Sequence, residues 1–86
     1  MQQATYRFIR ASNPKGFLST NTASTDALNV LENWTNFSEC RSYETIEDED
    51  ESLIAKLLFK NSDASAGTEL DRICDDFGIV REHVLP

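Results

Sequence analysis

Glu47-Asp48-Glu49-Asp50-Glu51 is a run of five carboxylates, and after one serine it gives way to the largely apolar segment Leu53–Phe59. The two segments make opposite demands. An unpaired carboxylate taken out of water costs on the order of several kcal/mol, so the run must face water or a cationic partner. The segment Leu53–Phe59 must be covered. A chain that passes from one to the other within two residues has to leave solvent and enter a core there, as the tip of a β-hairpin does.

The rest of the chain supplies a frame for that hairpin. Thr5–Ala11 alternates aromatic and β-branched residues with polar ones, which predicts a strand with Tyr6 and Phe8 on one face and Arg7 and Ile9 on the other. Ser12-Asn13-Pro14-Lys15-Gly16 has the chemistry of a turn. Ser24 or Thr25 is placed to cap a helix that runs to Trp34, with Asp26 in its first turn and Ala27, Leu28, Val30, Leu31 and Trp34 along one face. Glu39–Ile46 and Ser52–Lys60 are predicted as strands joined by the acidic run. The second of these is apolar on both faces: Leu53, Ala55, Leu57 and Phe59 on one, Ile54 and Leu58 beside Lys56 and Lys60 on the other. That pattern suits a central strand. Thr68 is placed to cap a second helix, in which Leu70, Ile73, Cys74 and Phe77 fall at i, i+3, i+4 and i+7 and Gly78 ends the periodicity. Ile79–Leu85 reads as a last strand.

The resulting order is β-α-β-β-α-β, the split β-α-β arrangement of ferredoxin-like folds. If Phe17–Thr20 forms a return strand, it becomes β-β-α-β-β-α. Either order predicts an α+β two-layer sandwich: a four-stranded antiparallel sheet with two helices on one face, in a single acidic domain spanning residues 1–86. A chain this short buries only roughly 60–65% of the surface its unfolded form exposes, which leaves no room for a deep cleft beside a separate binding site.

Charge divides the chain. Residues 1–40 balance Arg7, Arg10 and Lys15 against Asp26, Glu32 and Glu39, whereas residues 41–86 hold five bases and twelve acids, so the whole net charge of −7 lies there (5 − 12 = −7). Such a field repels nucleic acid and anionic membranes and attracts a basic protein surface. Its other reading is a solubilising surface and no more. The amino terminus has no apolar stretch of the kind that opens a secretory leader. Cys40 and Cys74 are far apart, with no metal-binding spacing. The expectation is a cytoplasmic chain with reduced thiols, in which the sequons at Asn33 and Asn36 have no role.

Several chemistries find no residues to carry them. His83, the single histidine, stands three residues from the end of the sequence, where chains are seldom rigid enough to aim a general base. Consecutive acids without an intervening Gly do not match a calcium loop. Gly16, Gly67 and Gly78 are isolated and form no phosphate-binding pattern. Tyr6, Phe8 and Phe59 fall on the opposite strand face from most of the bases, unlike a sheet that stacks RNA. No cofactor or metal is expected.

Surface recognition remains. The expectation is a non-enzymatic interaction module or small inhibitor that docks Glu47, Asp48, Glu49, Asp50 and Glu51, helped by Asp71, Asp75 and Asp76, on a basic partner, in its sharpest form as a mimic of nucleic-acid charge. A second expectation is a regulatory domain of the ACT type, binding a small metabolite at a homodimer interface through the Ser12–Thr20 loop. It rests on analogy of fold alone. The free sheet face, with Ile9, Ile54 and Leu58 among Arg7, Lys56 and Lys60, is a further candidate for protein contact.

Overall fold

The computed structural model describes residues 1–13 and 19–84. Six elements follow in the order β1 (Gln2–Arg10), α1 (Ala23–Asn36), β2 (Ser42–Glu49), β3 (Ser52–Phe59), α2 (Ala66–Asp76) and β4 (Ile79–His83). The strands form one antiparallel sheet in the order β2-β3-β1-β4. Each β-α-β unit is therefore split, with β3 between β1 and β2 and β1 between β3 and β4. This is the first of the two expected element orders. Of the alternative return strand, Phe17 and Leu18 lie outside the described residues, and Ser19 and Thr20 are not in a strand.

The register shows which face of β3 the helices cover. Phe8 pairs with Leu53, Tyr6 with Ala55 and Ala4 with Leu57, so these side chains share the face under the helices. Tyr6, Phe8, Leu53, Ala55 and Leu57 join Ala27, Val30, Leu31 and Trp34 of α1 and Leu70, Ile73 and Cys74 of α2 in one core, with Phe59 packed against it. Tyr6, Phe8 and Phe59 are thus core side chains under the helices. Arg7 pairs with Ile54 and Thr5 with Lys56 on the opposite, uncovered face.

Two helix starts differ from expectation. Thr22, and neither Ser24 nor Thr25, caps α1: its side chain accepts from the Thr25 N–H. Thr22 keeps the extended backbone a cap requires, while Ser24 and Thr25 are already helical. The second helix begins at Ala66, so Thr68 lies inside its first turn, and the cap residue Ser65 makes no side-chain cap bond. The Ser65 hydroxyl is instead engaged with Glu69 at 3.0 Å. At the other end Gly78, with φ 66°, takes the left-handed conformation that stops α2.

Gly67 has no such duty. It lies within α2, and a β-carbon there would meet only the Arg81 guanidinium at 3.9 Å, an ordinary contact. Gly67→Ala should raise stability by about 0.5–1 kcal/mol by removing backbone freedom from the unfolded chain. Urea unfolding checks this, and a loss of stability would contradict it.

Two buried ionic clusters tie the ends of the elements together. At one end, Asp26 is only 2% exposed and accepts from Arg10 (2.8 Å) and Asn21 (3.2 Å), while Arg10 also donates to the carbonyls of Phe77 and Asn21. Burial alone would raise the Asp26 pKa, but the hydrogen bonds from Ser19, Arg10 and Asn21 outweigh it and hold the carboxyl below its usual range. At the other end, Arg41 is 6% exposed. It donates to Asp63 (2.7 and 3.0 Å), Glu69 (2.5 Å) and the carbonyl of Trp34 (3.1 Å). It thus places a cation where α1 exposes its last carbonyls, and that cation also meets the acids at the start of α2.

Candidate interaction surface

The acidic run sits where the hairpin required it, but β2 extends through Glu49, so only Asp50 and Glu51 form the turn. The expected strand Glu39–Ile46 starts later and ends later. With almost no apolar side chain turned inward, β2 is an edge strand held by its pairing to β3, and residue pattern alone does not mark its ends.

Strand alternation then divides the carboxylates. Glu44 pairs with Lys56, and Glu47 and Glu49 pair with Ile54 and Ser52, on the uncovered face. A bulge between Thr45 and Glu47 shifts the phase, so Asp48 pairs with Leu53 and turns toward the helices. There the Ser24 hydroxyl donates to it, and the Ser24 N–H donates to the Asp50 carbonyl at 3.2 Å. The hairpin tip is therefore fastened to the start of α1, where a carboxylate is favoured by the partial positive charge of the helix end. All five carboxylates are exposed, and none takes part in an ion pair among the described residues. Divergent strand positions also prevent these acids from converging. Among the described residues, no three His, Cys, Asp or Glu side chains gather as metal ligands do.

The acids of α2 are placed differently. Asp71 is paired with Arg81 at 2.8 Å and Asp76 with Arg72 at 3.5 Å, while Asp75 makes no ion pair among the described residues. The C-terminal turn of α2 lies at the same end of the molecule as the hairpin tip, because Arg10, next to the start of α1, reaches the Phe77 carbonyl. The two acidic groups belong to opposite edges of the sheet at that end, since α2 packs toward β4 and the run ends β2.

A shallow groove of about 610 Å³ adjoins the tip, lined by Ile9, Arg10, Asn21, Thr22, Ala23, Asp50 and Glu51. Three first-turn donors of α1 are already engaged within the chain. Those of Ser24, Thr25 and Asp26 bond to the Asp50 carbonyl, the Thr22 hydroxyl and the Thr22 carbonyl.

The two cysteines differ in reach. Cys74 lies in the core, and burial pushes its thiol up to about 12, so it stays protonated at neutral pH. Cys40 is half-buried in the α1–β2 connection. A thiol reagent should label one cysteine, Cys40, in the folded protein and both in urea. Rapid native labelling of Cys74 would contradict the packing. His83 lies against the Tyr6 ring, tilted 51° to it, with ring centres 4.7 Å apart.

No helix among the described residues is long and apolar enough to cross a membrane. Compared with family models, curated proteins and solved structures, the chain has no significant match.

Proposed function

We propose that the protein is a non-enzymatic interaction module whose acidic hairpin docks on a basic surface of a partner protein. The observation that carries this reading is the distribution of ion pairs. Arg10, Arg41, Lys56, Arg72 and Arg81 are spent on acids elsewhere in the chain, and the five consecutive carboxylates of Glu47–Glu51 stay exposed and unpaired among the described residues. Anchorage of the tip to α1 supports the same reading, because a pre-set hairpin loses less freedom on binding than a loose acidic loop. Asp75, at the same end, adds to the field. Asp71 and Asp76 contribute less, each being partly neutralised by its arginine.

In its sharpest form the module is an inhibitor that occupies a nucleic-acid site by presenting carboxylates where phosphates would lie. A partner retained on this protein should then release it when an oligonucleotide is added, and the complex should weaken steeply as salt rises. Simultaneous binding of oligonucleotide and protein would refute the mimic. Affinity indifferent to salt would refute the electrostatic reading as a whole.

A second reading is a metabolite-binding regulatory domain of the ACT type acting as a dimer. The groove lined by Ile9, Asn21, Thr22 and Ala23 favours it, as a hollow next to the end of the Ser12–Thr20 loop, of which residues 14–18 lie outside the described residues. A thermal-shift screen with amino acids and nucleotides tests it. A flat response from a monomer would dismiss it.

A further inference from the structure

The uncovered face of the sheet sets apolar side chains among polar ones. Register puts Ile9 of β1, Ile54 and Leu58 of β3 and Val80 of β4 on that side, and Ile46 stands at the β2 bulge. Val80 is 39% and Ile46 54% exposed and Ile9 and Leu58 are half-buried, whereas Ile54, at 8%, is already covered although it lies outside the helix-side core. Ile9 pairs with Val80 at one end of this face and Leu58 stands toward the other, so a long ligand lying along β1 and β3 would meet both, with a polar rim on either side. The rim here has one dominant sign. Glu44, Glu47 and Glu49 line the β2 side and Glu82 lines the β4 side. Of the two bases between them, Lys56 is paired with Glu44 at 3.6 Å and Arg7 stands opposite Glu82.

The dimensions and the charge select one occupant. Strands lie about 4.8 Å apart, so the central pair β1 and β3 offers a track that a helix about 10 Å wide would cover, with β2 and β4 flanking it. Another copy of this chain would bring −7 against −7. An added strand on the β2 edge would meet the bulge, which interrupts the ladder.

We propose that the uncovered face binds an amphipathic helix of a partner protein, apolar toward Ile9, Leu58 and Val80 and rich in Lys or Arg on the flank that meets Glu47 and Glu49. The proposal rests on the acidic-docking reading and deepens it: the hairpin carboxylates set the sign of the partner, and the face sets its shape.

The probes are two synthetic peptides of about 18 residues, about 27 Å as helices, one of Leu and Lys in amphipathic order and one of Lys and Ser with equal charge. Titrated into isotope-labelled protein, the Leu–Lys peptide should shift the amide signals of Arg7, Ile9, Ile54–Leu58 and Val80. It should bind at least about tenfold more tightly than the Lys–Ser peptide. The double variant Leu58→Lys, Val80→Lys leaves the helix-side core intact and should weaken the Leu–Lys peptide at least about tenfold. Equal affinity for both peptides, shifts confined to the hairpin tip, an unaffected double variant or self-association through the face would each overturn the helix proposal. Binding of both peptides at the tip alone would leave the acidic-docking reading standing. Binding of neither would sink both.

Discussion

Replacing Trp34 by Ala should cost about 3–5 kcal/mol and lower the urea midpoint steeply. A domain of this size is held by only about 5–10 kcal/mol. Trp34 is one of the largest side chains fully removed from water, at 1% exposure, and it joins three parts of the fold. Its ring meets Phe59 of β3 edge-on at 6.2 Å, its Nε1–H donates to the carbonyl of Ala66 at the start of α2 (2.9 Å), and Arg41 lies over it at 5.2 Å. Trp34→Phe separates these terms. It keeps an aromatic ring, loses the donor to Ala66 and should cost about 1–3 kcal/mol. Urea titrations followed by circular dichroism give both values. Near-equal effects of the two variants would show that packing matters less here than the hydrogen bond.

Arg41→Ala carries the second large effect, about 3 kcal/mol. That is the low end for breaking a buried ion pair, because Asp63 and Glu69 keep some access to water, with side chains 12% and 26% exposed. Their protonation gives the prediction a second readout. Hydrogen bonds from Arg41 hold the carboxyls of Asp63 and Glu69 below their ordinary ranges. The folded protein therefore binds fewer protons than the unfolded chain, and the stability these groups contribute is complete above about pH 5 and lost as pH falls through about 4 and below. Wild type and Arg41→Ala should differ most near neutral pH and converge in acid. A gap that stays constant would contradict the assignment. Arg41 and Trp34 touch, so the double variant should cost less than the sum of the singles.

These two residues also show where sequence reading stops. The element order was legible because Tyr6, Phe8, Leu53, Ala55 and Leu57 alternate, and because Leu70, Ile73, Cys74 and Phe77 repeat with helical spacing. The burial of Arg41 was not. Its partners are 22 and 28 residues away, and an isolated arginine in a polar stretch carries no local sign of a buried role. Asp26 read as an ordinary first-turn acid, yet it is the centre of a buried cluster built by Arg10 and Asn21. The cap of α1 was ambiguous because Thr22, Ser24 and Thr25 all have the chemistry, and only the backbone conformation chooses among them.

The candidate surface was legible as charge and not as geometry. Five adjacent acids announce an exposed tip. Nothing in their order reveals the bulge at Thr45/Glu47, which turns Asp48 inward to Ser24 and leaves Glu47 and Glu49 on the uncovered face. That arrangement makes neutralisation a clean test. An Asn at position 48 still accepts the Ser24 hydrogen bond, and the contact at Asp50 uses its backbone carbonyl, so a variant with Glu47, Asp48, Glu49, Asp50 and Glu51 changed to Gln or Asn keeps its anchors.

The decisive measurement is a capture from native lysate with wild type and this neutralised variant as paired baits, in buffers of about 0.05 M and about 0.5 M salt. The docking account predicts a basic protein held by wild type at low salt, released at high salt and absent from the variant. A partner held equally by both baits at both salt concentrations would contradict it.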